Sequence, residues 1–403
     1  MKAHASLVVK PMHRSLIFHL WAAMLILLNT ECVHSQRRLV VPQGQSGGWS
    51  FHGNQILLAE SYSKTASIVN LATGTIVQTF HGHTEPVWAT AFSLDGTKAA
   101  TVAYDSDDSG YDYSTDNSIR IWDVLSGKEL YRIPHAALLF QFSQDGSRLL
   151  VDLGDSHGLE VWDIDTKRKL FDLEVTRYHQ PYAASFDPDS MTIDVPIDNG
   201  TIEIFNYGDG KLRCRIPESA SSAEYSRDGK QFLIVSSDAT VINIWDPRTC
   251  RLLQGTIGGH HQFTAAHFSS DGQMVVASLL DSPRVQLISA RTGTMIKQFS
   301  LPGVDRFTDV ALSADGKRLL ARWQIQGVQT QTGIFDMHYT TLWDVQSGQE
   351  LHRFDDGAGM GYGSSLVLGF SQDHGTIPVL VDTRLASLWS AQTGKLIIKY
   401  QSP

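Results

Sequence analysis

Residues 105–116 read DSDDSGYDYSTD, the stretch with the most distinctive local chemistry in the chain. Asp105, Asp107 and Ser109 place oxygen donors at alternate positions, Gly110 permits a sharp turn, and Asp116 closes the loop. Hard oxygens in that order can wrap a calcium ion. The flanks read as strands rather than helices, and the closing donor is Asp rather than the longer Glu. The preferred expectation is therefore a solvated acidic loop, with Tyr111 and Tyr113 as partner contacts. A calcium site at Asp105, Asp107, Ser109 and Asp116 is the alternative. No other cofactor is expected.

Motifs that carry catalysis are missing. There is no glycine-rich phosphate loop after a strand, no His-Glu-x-x-His and no Cys-x-x-Cys. His260 and His261 are adjacent, and neighbours on an extended chain point opposite ways, so they make a poor joint metal site. The chain is not expected to be an enzyme. The alternative is a hydrolase or metal-assisted enzyme whose groups come from distant parts of the sequence.

The bulk numbers narrow the class. The chain has 403 residues, 42% hydrophobic and 19% charged, which suits a globular protein with a buried core. Its formal net charge of -9 argues against a nucleic-acid backbone as the main partner, because phosphate binding needs a local excess of cations.

The N-terminus reads as an address. Lys2, Lys10 and Arg14 precede an apolar run from Leu16 to Leu28, and small side chains follow near Ser35. These are the parts of a secretory signal peptide over residues 1–35. The run falls short of the ~20 residues that a membrane span needs. An uncleaved anchor is the alternative. After cleavage the net charge becomes -11, residues 36–46 form a short leading segment, and no membrane span remains. The product is expected in the periplasm or outside the cell, as a monomer. Cys214 and Cys250 are then the cysteines left. Two cysteines are no disulfide framework. They are read as separate buried thiols, with one bridge as the alternative if their strands come close.

The elements that must position these residues show themselves as a repeat. An apolar strand ending in an aromatic and a polar residue recurs at Ile121-Trp122-Asp123, Val161-Trp162-Asp163, Ile244-Trp245-Asp246 and Leu342-Trp343-Asp344. Variants stand at Ile68–Leu71, Ile204–Asn206, Leu287–Ser289 and Leu388–Ser390. A turn follows each, at positions 74, 127, 167, 210, 250, 293, 348 and 394. The spacing is mostly 40 to 46 residues, the length of one four-stranded unit. A second element precedes most copies, as at Phe92–Gly96, Phe142–Gly146, Tyr225–Gly229 and Phe268–Gly272. Its Asp-Gly pair is a tight-turn signal between two apolar runs.

These Trp-Asp endings, the Phe-Ser-x-Asp-Gly turns and the dipeptides Gly82-His83 and Gly259-His260 resemble the WD40 repeat family across residues 47–403. The resemblance implies an all-β fold, a β-propeller of four-stranded blades. Eight blades are favoured. A seven-bladed ring would need part of 38–71 to lie outside it. The resemblance also implies a buried network in blade 2 of His83, Thr101, Asp116 and Trp122. In most blades that network is degenerate, so the blades are expected to rely mainly on apolar packing.

Strand directions alternate within a blade, so the loops joining its second and third strands, and those joining successive blades, leave on one face. Two long insertions, Asp105–Asn117 and Gln324–Tyr339, and the glycine-rich loop Asp355–Ser365 open there. Long loops on a rigid frame commonly carry binding. Gln324, Phe335, Met360 and Tyr362 join Tyr111 and Tyr113 as candidate contacts. The expected function is a non-enzymatic scaffold that takes a protein or peptide partner on this face.

Overall fold

The tight turns form as their residue types require. Ser93 Oγ donates to Asp95 Oδ1 (2.6 Å) and accepts from Lys98 N (2.9 Å), while Asp95 Oδ1 accepts from Thr97 N (3.0 Å). The same three bonds recur around Ser143 and Asp145 and around Ser269 and Asp271. At the other end of the blade, Asp123 Oδ1 accepts from Ser126 N (2.7 Å), and Gly127 takes φ 69°. Two such turns leave a four-stranded meander as the only short connection.

The computed structural model describes residues 49–401 except 54, 60–62, 71–72, 74, 104–115, 136, 138, 154–157, 176–183, 190, 198–199, 259–260, 281, 330–333, 359–365, 368–369, 371–375 and 383–384. The described residues form eight four-stranded antiparallel sheets, each from four consecutive strands. The eight expected blades are therefore the eight sheets, including the irregular first one at Trp49–His52, Gln55–Ala59, Ala66–Asn70 and Thr75–Phe80. No helix occurs among the described residues.

Within a blade the two middle strands are apolar and buried, as in Lys98–Ala103 and Ser118–Asp123 of blade 2. The outer strands are mostly exposed, as in Glu129–Ile133. The core sits between neighbouring blades. Ile121, Phe142, Leu149 and Val151 share one cluster across blades 2 and 3, and Val285, Phe307, Leu319 and Trp343 another across blades 6 and 7. Trp122 is 2% exposed and stacks on Phe80 of blade 1 at 5.2 Å. The repeated aromatic thus fills the wedge between sheets, where truncation to alanine costs about 3–5 kcal/mol.

The structure corrects one expectation about the cysteines. Cys214 and Cys250 are not separate thiols; they are joined, with Cα atoms 6.1 Å apart. Cys214 lies on the outer strand of blade 4, Leu212–Ile216, and Cys250 on the last turn of blade 5. Separation in sequence hid a closeness that the repeat creates.

Candidate partner-binding face

In blade 2 the structure brings His83, Thr101, Asp116 and Trp122 together as a chain. Trp122 Nε1 donates to Thr101 Oγ1 (2.8 Å). Thr101 Oγ1 and His83 Nε2 are 2.7 Å apart, and His83 Nδ1 and Asp116 Oδ2 are 2.9 Å apart. Trp Nε1 is a donor only, which turns the Thr101 hydroxyl toward His83 as a donor and assigns the ring proton to Nδ1. Every member is then satisfied, the condition under which a buried network stabilises. Burial lowers the His83 pKa against the pull of Asp116, which keeps the ring neutral.

Asp116 carries more than that chain. It is fully buried and also accepts from Thr84 N (2.9 Å), Ser118 Oγ, Arg120 Nη2 (3.3 Å) and Arg132 Nη2 (3.0 Å). Burial would raise its pKa, but the bonds from Ser118 and Thr84 and the neighbouring His83 hold it down at about 2. Arg120 and Arg132 are cross-strand partners, a pairing that repels unless an anion lies between them. Asp116 is that anion, and Glu129 takes the other side of Arg120 at 2.8 Å. The Gly82-His83 dipeptide gains a reason as well. A Cβ on Gly82, whose φ is 148°, would lie 2.5 Å from Arg120 Nη1.

This commitment bears on the calcium expectation. The Asp116 carboxylate is directed at two guanidiniums and a histidine, inside the blade. Asp105, Asp107, Ser109, Tyr111 and Tyr113 lie outside the described residues.

The second insertion is not a loop. Strands Arg318–Gln329 and Ile334–Asp344 of blade 7 run on past the ring, in register to Gln329↔Ile334. The outer strand, Glu350–Ala358, extends with them, pairing Ala358 with Met337. Part of the expected loop Asp355–Ser365 is therefore strand. Together the three make a β-wall on the face where the blade 2 insertion emerges.

The foot of this wall is an aromatic and polar stack. Trp323 is buried, stacks on Tyr339 at 4.5 Å and 23°, and donates from Nε1 to Thr341 Oγ1 (2.9 Å). Arg353 lies over the Trp323 ring at 5.1 Å and grips Glu350 with two bonds of 2.9 and 3.0 Å. Gln324, expected as a partner contact, is only 3% exposed. With its amide oxygen turned to Arg306 it accepts from Nε and Nη2 at 3.0 Å each. It braces the wall from within, because the strand continues through its position and turns its side chain inward. Phe335 lies on the wall, opposite Val328 in register. Met360 and Tyr362 lie outside the described residues. Gln326, Gly327 and Gln329 are exposed near the tip, and Gln326 N donates to Asp305 Oδ2 at 2.6 Å.

Other blades solve the indole problem differently from blade 2. Trp162 Nε1 donates to Glu160 Oε2 (2.8 Å), and Trp245 Nε1 to Glu218 Oε2 (3.0 Å). In blades 3 and 5 a glutamate thus takes the place of the hydroxyl and supplements the packing. One cluster was missed altogether. His267, on the innermost strand Phe263–Phe268 of blade 6, meets Glu224 of blade 5 (2.6 Å) and Asp309 of blade 7 (3.5 Å). Burial would depress the His267 pKa, but the two carboxylates raise it to about 9. The repeat register could have shown it, since Glu224 and His267 both stand directly before the strand aromatic, at Tyr225 and Phe268.

Comparison with known proteins agrees with this architecture. Residues 74–123, which take in the outer strand of blade 1 and the first three strands of blade 2, match the family model "WD domain, G-beta repeat". The angio-associated migratory cell protein of Homo sapiens is 26% identical over 198 residues, covering 46% of this chain and 43% of that protein. The serine-threonine kinase receptor-associated protein of Gallus gallus is 27% identical over 173 residues, covering 42% and 45%. The alignments thus span less than half the length of these relatives. Among solved structures, the computationally designed Ika8 protein superposes with a TM-score of 0.62 at 19% identity, covering 87% of this chain and 98% of that one. The C-terminal WD40 domain of Sif2 superposes at 0.59 and 15% identity, covering 83% and 92%. Eight meander sheets, the His83 to Trp122 network and these likenesses agree: the chain carries a WD40 repeat at residues 74–123 and has a β-propeller fold like that of WD40 domains.

Proposed function

We propose that this protein is an exported, non-enzymatic scaffold that takes a protein or peptide partner on the face bearing the blade 7 wall. The observation that carries the reading is the wall itself: the strands Arg318–Gln329, Ile334–Asp344 and Glu350–Ala358 all outrun their blade on one side. Extended strands cost conformational entropy, and beyond Ile325 and Tyr339 no described residue of the hairpin joins the cluster between blades 6 and 7, so a surface role accounts for the rest. The stack of Trp323, Tyr339 and Arg353 holds the wall rigid, which lowers the ordering cost of binding. Export is supported by the charged start and apolar run of residues 1–35 and by the Cys214–Cys250 bridge, a bond that persists in oxidising compartments.

The test is a variant in which residues 326–335 are replaced by a two-residue Asn-Gly turn, which keeps the foot of the wall. Partner proteins crosslinked to the intact protein in its own cells would be identified by mass spectrometry. Affinity of a purified partner should then fall at least tenfold for the variant while its melting temperature stays close to that of the parent. Equal affinity would move the binding site elsewhere. Recovery of the protein in the cytosolic fraction with residues 1–35 intact would remove the export half of the proposal.

A further inference from the structure

The repeat creates one contact again and again at the rim. A side chain placed at the turn residue of one blade reaches the middle of the outer strand of the blade before it. A Cβ on Gly127 would meet Gln78, on Gly210 it would meet Phe171, on Gly293 Gln254, on Gly348 Lys297 and on Gly394 His352. Each residue met stands four places after the turn position of its own blade. At the seam between blades 4 and 5 the turn residue is Cys250, held at φ 50°, and the residue it meets is Cys214. The bridge therefore needs no distortion of the ring. It fills a contact that five other seams make at the same place.

Near the axis, one of the strands flanking this seam is short. The innermost strand of blade 4 is Ser185–Phe186, two residues, against six for Ala220–Tyr225 in blade 5 and six for Phe263–Phe268 in blade 6. Between blades 5 and 6 the inner strands are tied directly, with Phe268 N donating to Glu224 Oε1 at 2.9 Å. Between blades 6 and 7, Thr264 Oγ1 donates to Phe307 O at 2.9 Å. Between blades 4 and 5 the apolar cluster of Ile202, Ile204, Tyr225, Phe232 and Trp245 fills the joint, and polar and covalent ties stand outside it. The disulfide lies there, and two residues before Cys250 on the same turn Arg248 pairs with Asp189 of blade 4. Both cysteines are half-buried, within reach of solvent.

We propose that the Cys214–Cys250 disulfide is a latch that closes the joint between blades 4 and 5, so that its reduction loosens this joint while the other seams stay packed. Opening takes a dithiol reductant. One donor thiolate attacks a sulfur of the bridge, the S–S bond breaks as a mixed disulfide forms, and the second donor thiolate displaces the protein thiolate. Two electrons and two protons end on Cys214 and Cys250, and the donor leaves as its own disulfide. Closing is the reverse, with a disulfide-bearing oxidase as the electron acceptor. The latch rests on the geometry of the seam. Export decides which state prevails.

The experiment uses the purified protein in both redox states, defined by alkylation and mass measurement. Hydrogen–deuterium exchange is then followed strand by strand. Reduction should speed exchange at least tenfold in Leu212–Ile216 and Arg251–Gly258 and leave Glu129–Ile133 and Met295–Ser300 within twofold. The double variant Cys214→Ser, Cys250→Ser should show the reduced pattern without reductant and respond to none. Alkylation of both cysteines in the unreduced protein would overturn the latch. So would unchanged exchange, or a rise spread evenly over all outer strands. Because reduction starts from folded protein, a variant that fails to fold does not block the test.

Discussion

Thr101 is the hinge of the blade 2 network, since it accepts from Trp122 and faces His83. Thr101→Val keeps the shape and removes the hydroxyl, leaving a buried indole N–H and a buried imidazole nitrogen unpaired. Stability in urea should fall by about 1–3 kcal/mol, the desolvation cost of an unmade buried bond. Thr101→Ser should recover most of the loss. A Val variant as stable as the parent, with the loss confined to Ser, would show that the methyl contact, rather than the hydrogen bonds, matters here. Asp116→Ala is the harsher change. It leaves Arg120, whose side chain is 10% exposed, with Glu129 as its remaining carboxylate, while the 44% exposed Arg132 can turn to water. A loss of about 3 kcal/mol is expected, the lower end for breaking a buried pair. An isosteric Asp116→Asn that leaves the denaturation midpoint unmoved would sink the electrostatic account.

At the scale of elements, the contact between turn and outer strand is a general property of these blades. Gly293 meets Gln254 as Cys250 meets Cys214. The pair Gln254→Cys and Gly293→Cys should therefore oxidise spontaneously and join blades 5 and 6. Gly293 has φ 67°, but Lys167 and Cys250 hold the same turn at 59° and 50°. A side chain is tolerated there at about 1–2 kcal/mol of left-handed strain. Alkylation that finds both new thiols free in oxidised protein would contradict the equivalence of the seams. The wall of blade 7 is an element of another kind. Trp323→Leu removes the stack with Tyr339, the cation–π contact from Arg353 and the bond to Thr341. It should cost about 2–4 kcal/mol in a well-packed site and raise exchange in Ile334–Asp344 before the rest of blade 7. Protection that stays uniform across the blade would show that the wall does not depend on its foot.

The whole molecule joins two charged centres with opposite pH responses. The folded pKa of Asp116, about 2, lies below its ordinary value of 3.8, and that of His83 lies below 6.5. Both contribute stability that is present at higher pH and lost on acidification, for His83 as pH falls below 6.5 and for Asp116 as it falls from 3.8 toward 2. His267 acts the other way. Its folded pKa of about 9 exceeds 6.5, so its contribution is full below pH 6.5 and is lost as pH rises through 9. The melting temperature should be highest between these limits. His267→Gln should flatten the alkaline limb and leave the acid limb in place. A parent curve that stays level from pH 7 to 10 would refute the clamp across blades 5, 6 and 7.

The sequence by itself determined the blades. Turn chemistry and strand alternation are local: Ser93, Asp95 and Gly96 form their turn whatever lies beyond it, and eight such units have one way to bury their aromatic residues. The blade 2 network was legible because its four members sit at fixed places in the repeat. What the tertiary structure alone decided lies between blades or beyond them. Arg120 and Arg132 became ligands of Asp116 by cross-strand register, and Glu224, His267 and Asp309 met across two seams. Gln324 turned inward because the insertion continued as paired strand, a choice set by Arg306 and the length of the hairpin. Cys214 and Cys250 stood at turn-related positions in the sequence, yet only the angle between neighbouring sheets put one against the other. Contacts within a repeat follow from its period. Contacts between repeats need the geometry of the ring.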